Sequence, residues 1–218
     1  LDFTKLISSN NKENNFKQYI TILINKFQKG SITMSNNPIA QELLNRDDCV
    51  LIVIDIQDKL LPQIAHRERL VNNTMKLIKF AKIINIPIIV TEQEKLGFTM
   101  PKLMDEMEGI HPIRKIHYSC FGCEEFVEEL KKIGRKTLII TGMETHICVL
   151  QTALQALPEF KVHVVSDAVS CRFGINWEMG LQRLHDCGVV ISTTEMVIFE
   201  LLRRAGTDEF ILALKLVR

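Results

Sequence analysis

The chain has 218 residues, 46% of them apolar and 24% charged, with a formal net charge of +1. That length supports one domain with one sizeable core, and the near-zero charge supplies neither the basic field of a nucleic-acid surface nor an acidic tail. No apolar run nears the roughly 20 residues that cross a bilayer, and six dispersed cysteines read as reduced thiols in a cytoplasmic protein, so neither a membrane nor nucleic acid is expected as a partner. Residues 1–33 stand apart as an extension. Residues 8–15 are polar and low in complexity, which predicts disorder, while Phe16, Ile20, Leu23 and Phe27 fall at the spacing of one amphipathic helix. Residues 34–218 read as the folded domain.

From Cys49 onward apolar strands alternate with amphipathic helices. Strands are predicted at 49–55, 87–91, 137–142, 161–166 and 189–192, and helices at 70–84, 124–133, 145–157 and 177–187. Short strands that are apolar throughout suit a parallel sheet covered on both faces. The expected fold is therefore α/β: a three-layer α/β/α doubly wound sandwich with a mostly parallel sheet of about six strands. In such a sheet the ligand lies beyond the carboxyl ends of the strands. The polar residues at those ends include Asp55, 91–93, 142–148, Ser166 and Asp167.

Taken singly, these residues are ambiguous. Asp55 closes an apolar strand and can either cap the next helix or work in the crevice. Cys148 follows a strand and opens a predicted helix, where the dipole and free N–H groups lower a thiol's pKa and can hold an oxyanion. A small buried apolar side chain is the plainer reading of an unpaired cysteine. Lys115, in a predicted loop, is a solvated charge unless the chain folds it into the crevice. Cys120 and Cys123 form a C-x-x-C, but one that follows a loop rather than a strand. His66, His111, His117, His163 and His185 show no metal-ligand spacing.

Three separated segments resemble the isochorismatase-like hydrolases: Val53-Ile-Asp55-Ile-Gln, Lys115 with Ser119 in Tyr-Ser-Cys-Phe, and Gly142-Met-Glu-Thr-His-Ile-Cys148-Val. Val90-Thr-Glu-Gln93 with Leu96-Gly97, and Ser166-Asp167-Ala168, are similar to the subgroup of isochorismatase domain-containing proteins. The resemblance implies a cysteine hydrolase in which Asp55 takes the thiol proton of Cys148, Lys115 holds the site electrostatically, and an acyl-enzyme is released by water. It also implies a cis peptide at Met143–Glu144, with Met143, Glu144 and Cys148 framing the oxyanion. Gln57, Gln93, Tyr118 and Thr145 are assigned to the substrate pocket.

Related nicotinamidases hold zinc through an Asp and two His after the second strand. Here residues 91–97 contain no histidine, so neither a metal nor another cofactor is expected. A retained Cys148 favours a small amide, ureide or imide over isochorismate itself. The alternatives are hydrolysis of an enol ether, a non-catalytic binding or scaffold protein, and a thiol redox protein using Cys120 and Cys123. The apolar C-terminal run, with Met196-Val-Ile-Phe199, Leu201-Leu202 and Phe210-Ile-Leu-Ala-Leu214, predicts a homo-oligomer, and the resemblance implies a dimer or tetramer.

Overall fold

A computed structural model describes residues 42–217; the extension assigned to residues 1–33 lies outside them. Six strands form one sheet in the order β3-β2-β1-β4-β5-β6, every neighbouring pair parallel. They are β1 (Cys49–Ile54), β2 (Ile88–Gln93), β3 (Ile113–Lys115), β4 (Thr137–Met143), β5 (Lys161–Ser170) and β6 (Val190–Ser192). Chain order reverses direction across the sheet between β1 and β4, the kind of switch point where doubly wound sheets open a crevice.

Alternation along β1 explains the three layers. Cys49, Leu51 and Val53 face one core, with side chains from α1 (Arg67–Ile83), α6 (Thr194–Leu202) and α7 (Asp208–Val217). Val50, Ile52 and Ile54 face the other, with α3 (Glu124–Ile133), α4 (Leu150–Ala156) and α5 (Gly174–Asp186). Successive side chains of a strand point to opposite faces, so a strand covered on both must be apolar throughout. All six residues of β1 are buried. A short α2 (Pro101–Met104) lies in the connection from β2 to β3.

Two elements depart from the sequence expectation. Residues 113–115, read as loop, form the edge strand β3, with Gln93 opposite Lys115 in the register. Three residues, two of them cationic, carry no periodic signal, and pairing with β2 makes them a strand. The helix expected from residue 145 begins as a π-helical turn, Thr145–Val149, before α4. Such widened turns recur at functional sites.

Beside that turn, β4 and β1 approach closely. At Gly142 φ is +121°, and a Cβ there would lie 2.1 Å from the Ile54 carbonyl oxygen. Only glycine satisfies both the angle and the approach. The β4–β5 register also shifts between Ile140 and Gly142, an irregularity just before the same turn.

The C-terminal helices keep two apolar faces. Val197, Ile198, Leu201 and Leu202 are buried, whereas Met196, Phe199, Ile211 and Leu212 stand exposed. Among the described residues no helix is long and apolar enough to cross a membrane.

Candidate active site

Asp55 is the residue immediately after β1, and its φ of +52° puts it in the left-handed region that Asp tolerates better than most residues. That conformation breaks the strand's alternation just where the chain leaves the sheet. Lys115 arrives at the end of β3, two strands away, and Cys148 from the π turn after β4. Exposure is 1% for Asp55, 3% for Lys115 and 7% for Cys148. Three segments far apart in sequence thus converge on one buried spot at the switch point.

The bonds are short. Lys115 Nζ donates to Asp55 Oδ2 at 2.7 Å, and the Thr91 hydroxyl donates to Asp55 Oδ1, also at 2.7 Å. Lys115 Nζ donates in addition to Gln93 Oε1 at 2.9 Å and lies 3.2 and 3.3 Å from the carbonyl oxygens of His117 and Tyr118. A buried ion pair persists when its remaining donors and acceptors are matched, and here they are. Burial is the largest single influence and lowers the Lys115 pKa, but Asp55, Cys120 and Cys148 together outweigh it and raise the value, so the side chain is an ammonium.

Cys148 lies close enough to the same carboxylate for its charge to act on the thiol. Here the structure reverses an expectation. A position near a helix start beside a cation predicts a lowered thiol pKa, yet burial first and the Asp55 charge second push it up, and Lys115 compensates only in part. The resting group is a buried thiol rather than a thiolate.

The other expected site residues divide. Gln93 lines a cavity of about 410 Å³ together with Asp58, Lys59, Lys95, Phe98 and Arg114, while its amide oxygen holds Lys115. Thr145 is buried in the π turn, and its hydroxyl has no hydrogen-bond partner. The Met143–Glu144 peptide is cis. The Glu144 carboxylate is buried and accepts from the Arg172 backbone N–H at 2.9 Å and from Arg172 Nε at 3.1 Å, which latches the turn to the chain entering α5. Gln57 is a strut rather than pocket lining: its Nε2 donates to the Gln93 and Gly97 carbonyls, and its Oε1 accepts from the Gln93 N–H. Tyr118 reaches the trio through its carbonyl oxygen, its ring being exposed.

Sequence reasoning passed over Thr91 as a partner of Asp55 and Arg172 as a partner of Glu144. A hydroxyl ending the apolar run Ile88-Ile-Val was the available signal for the first; the second had none. The C-x-x-C is split: Cys120 is fully buried against Thr91, while the Cys123 thiol turns to the Arg114 carbonyl. Among the described residues no group of three or more His, Cys, Asp or Glu side chains is placed to hold a metal ion.

Comparison with known proteins identifies the family. Residues 49–196 match the isochorismatase domain. Isochorismatase domain-containing protein 2A of Mus musculus is 35% identical over 172 residues, 75% of this chain and 80% of the relative. The secreted isochorismatase effector of Phytophthora sojae is 33% identical over 178 residues, 78% of this chain and 84% of the relative. Among solved structures, the MAR1 ribonuclease from Caenorhabditis elegans superposes with a TM-score of 0.76 at 31% identity, covering 81% of this chain and 92% of that one. The YcaC protein from Pseudomonas aeruginosa, solved with hexane-2,5-diol and covalent acrylamide, has a TM-score of 0.74 at 27% identity, covering 80% and 91%. The YcaC gene product from Escherichia coli, an octameric hydrolase of unknown specificity, has the same TM-score at 29% identity, covering 80% and 88%. With its domain match, its full-length relatives and its sheet in common, the chain belongs to the isochorismatase-like hydrolase family, in the group of isochorismatase domain-containing proteins.

Proposed function

We propose that the protein hydrolyses the C–N acyl bond of a small amide, ureide or imide, with Cys148 as nucleophile, Asp55 as its base and Lys115 as the fixed cation. The observation that carries this reading is the buried Asp55 carboxylate, which pairs with the Lys115 ammonium and whose charge acts on the Cys148 thiol beside it. Asp55 takes the thiol proton as sulfur attacks the carbonyl carbon, and the new oxyanion faces the backbone N–H groups of the turn from Met143 to Cys148. The C–N bond breaks, the leaving nitrogen takes the proton back from Asp55, and water then releases the acyl group from sulfur. A thiol raised by burial suits such a concerted transfer, since its proton leaves only when a carbonyl is present to be attacked. The covalent acrylamide on the Pseudomonas aeruginosa relative supports a reactive nucleophile in this fold.

The test is a panel of amides, ureides and imides, read as release of ammonia or amine. Turnover is expected in the natural protein, none in Cys148→Ala, and a fall of about 100-fold or more in Asp55→Asn. Undiminished turnover by Cys148→Ala would sink the reading. The ribonuclease activity named for the Caenorhabditis elegans relative fits this chain less well. Its trio is buried, and its net charge of +1 gives a polyanion little attraction.

We also propose that the protein is a cytoplasmic homo-oligomer, as the Escherichia coli relative is an octamer and α6 and α7 expose apolar side chains. Light scattering giving a mass near 25 kDa would refute the association.

A further inference from the structure

Resting on that reading, we propose that Thr91, backed by Cys120, is a positioning residue for the reaction. Its hydroxyl ties down one oxygen of Asp55, while the other pairs with Lys115, and this fixes the carboxylate beside Cys148. The inference begins from donor and acceptor roles. A carboxylate paired with an ammonium only accepts, so the one hydroxyl hydrogen of Thr91 goes to Asp55 Oδ1 at 2.7 Å. The Thr91 oxygen is then left as an acceptor, and the Cys120 sulfur lies 4.0 Å from it. The Cys120 thiol is pushed up to about 12, by burial first and the Asp55 charge second, so at neutral pH it carries the hydrogen that this contact requires.

Cys120 is itself fixed. Its backbone N–H donates to Thr152 Oγ1 at 3.0 Å, and Thr152 stands one helical turn beyond Cys148. The relay therefore closes a ring: the helix carrying the nucleophile holds Cys120, Cys120 orients Thr91, Thr91 orients Asp55, and Asp55 faces the nucleophile. Thr91, Cys120 and Thr152 are all fully buried. A hydroxyl at a position packed like the preceding Ile88-Ile-Val is costly without a partner, and valine would fill the same space. The titratable groups facing the carboxylate are Lys115 from β3, Cys120 from the turn after it, and Cys148 from the π turn. Among the described hydrogen bonds Lys115 takes Oδ2 and Thr91 is the donor on Oδ1.

The probe is acrylamide, with the rate of adduct formation at Cys148 followed by peptide mass spectrometry across pH and exposed Cys187 as the internal reference. In the natural protein the Cys148 rate shows an acid limb that disappears in Asp55→Asn. A carboxylate that loses a hydrogen-bond donor holds its proton more tightly, so Thr91→Val moves this limb upward by about one pH unit. Thr91→Ser restores it. Cys120→Ala moves it the same way by less, and Cys120→Ser does not. A limb unchanged in Thr91→Val overturns the proposal while leaving the nucleophile reading intact. A natural protein whose Cys148 shows no limb and reacts no differently from Cys187 overturns both. Should Thr91→Val fail to fold, the pair Cys120→Ala and Cys120→Ser decides, identical limbs being the negative result.

Discussion

The two ends of the sheet handle charge in opposite ways. At the carboxyl end Asp55, Lys115, Glu92 and Glu144 are buried, and each is bonded to a group from another element. At the amino end the ion pairs lie at the surface: Arg46 with Glu209, each side chain more than one-third exposed, and Lys161 with Glu42. The amino end also uses charge to tie backbone. Asp48 accepts from the Lys136 N–H and the Thr137 hydroxyl, and Arg135 donates to the carbonyls of Arg46 and Cys49. Surface pairs of this kind contribute about 0–1 kcal/mol, whereas breaking a buried pair leaves a charge without solvent. The difference separates a fold's fastening from its chemistry, because stability alone would be served as well by apolar side chains at the buried end.

The largest expected effect breaks the buried pair. Lys115→Met should cost about 3–5 kcal/mol of unfolding free energy in urea titrations, since it strands Asp55. Adding Asp55→Leu should recover most of that loss while abolishing reactivity at Cys148. If the double variant is no more stable than the single, the cost lies in packing rather than charge. The raised Lys115 ammonium also fixes a sign: its stabilisation is full below the ordinary lysine pKa and is lost as pH climbs through the higher folded value.

A middle-sized effect comes from the exception at the amino end, where His163 is buried and borders a small cavity with Asp48 and Lys161. Burial first, and the Lys161 charge second, lower its pKa from 6.5 to about 4. The unfolded chain binds this proton more readily, so stability is full above pH 6.5, declines as pH falls toward 4, and levels off below. The decline amounts to roughly 3 kcal/mol at the outside. His163→Gln should flatten that part of the pH–stability curve, and an unaltered slope would assign the acid sensitivity elsewhere.

The smallest effect tests the surface. Arg46→Met should cost less than about 1 kcal/mol of ion-pair energy, shrinking further in 0.5 M salt. A salt-independent loss would point instead to the bond from its guanidinium to the Ile84 carbonyl, at 2.9 Å.

What the sequence by itself determined was the alternation. Apolar strands of four to seven residues between amphipathic helices dictate a parallel sheet covered on both faces, and five of the six strands were legible within a few residues because burial on two sides leaves few polar positions. Three short motifs marked Asp55, Lys115 and Cys148 through their resemblance to a known family, since each residue taken singly has an equally plain structural use. Tertiary structure alone decided the rest. Ile113–Lys115 is a strand only because β2 offers it an edge, and that edge carries Lys115 to Asp55. Gln57 became a strut because both of its amide hydrogens meet carbonyls more than 30 residues away. The direction of the Cys148 pKa turned on the same fact: a helix start and a cation are local and readable, but burial and a carboxylate brought from another strand are stronger, and they exist only once the chain has folded.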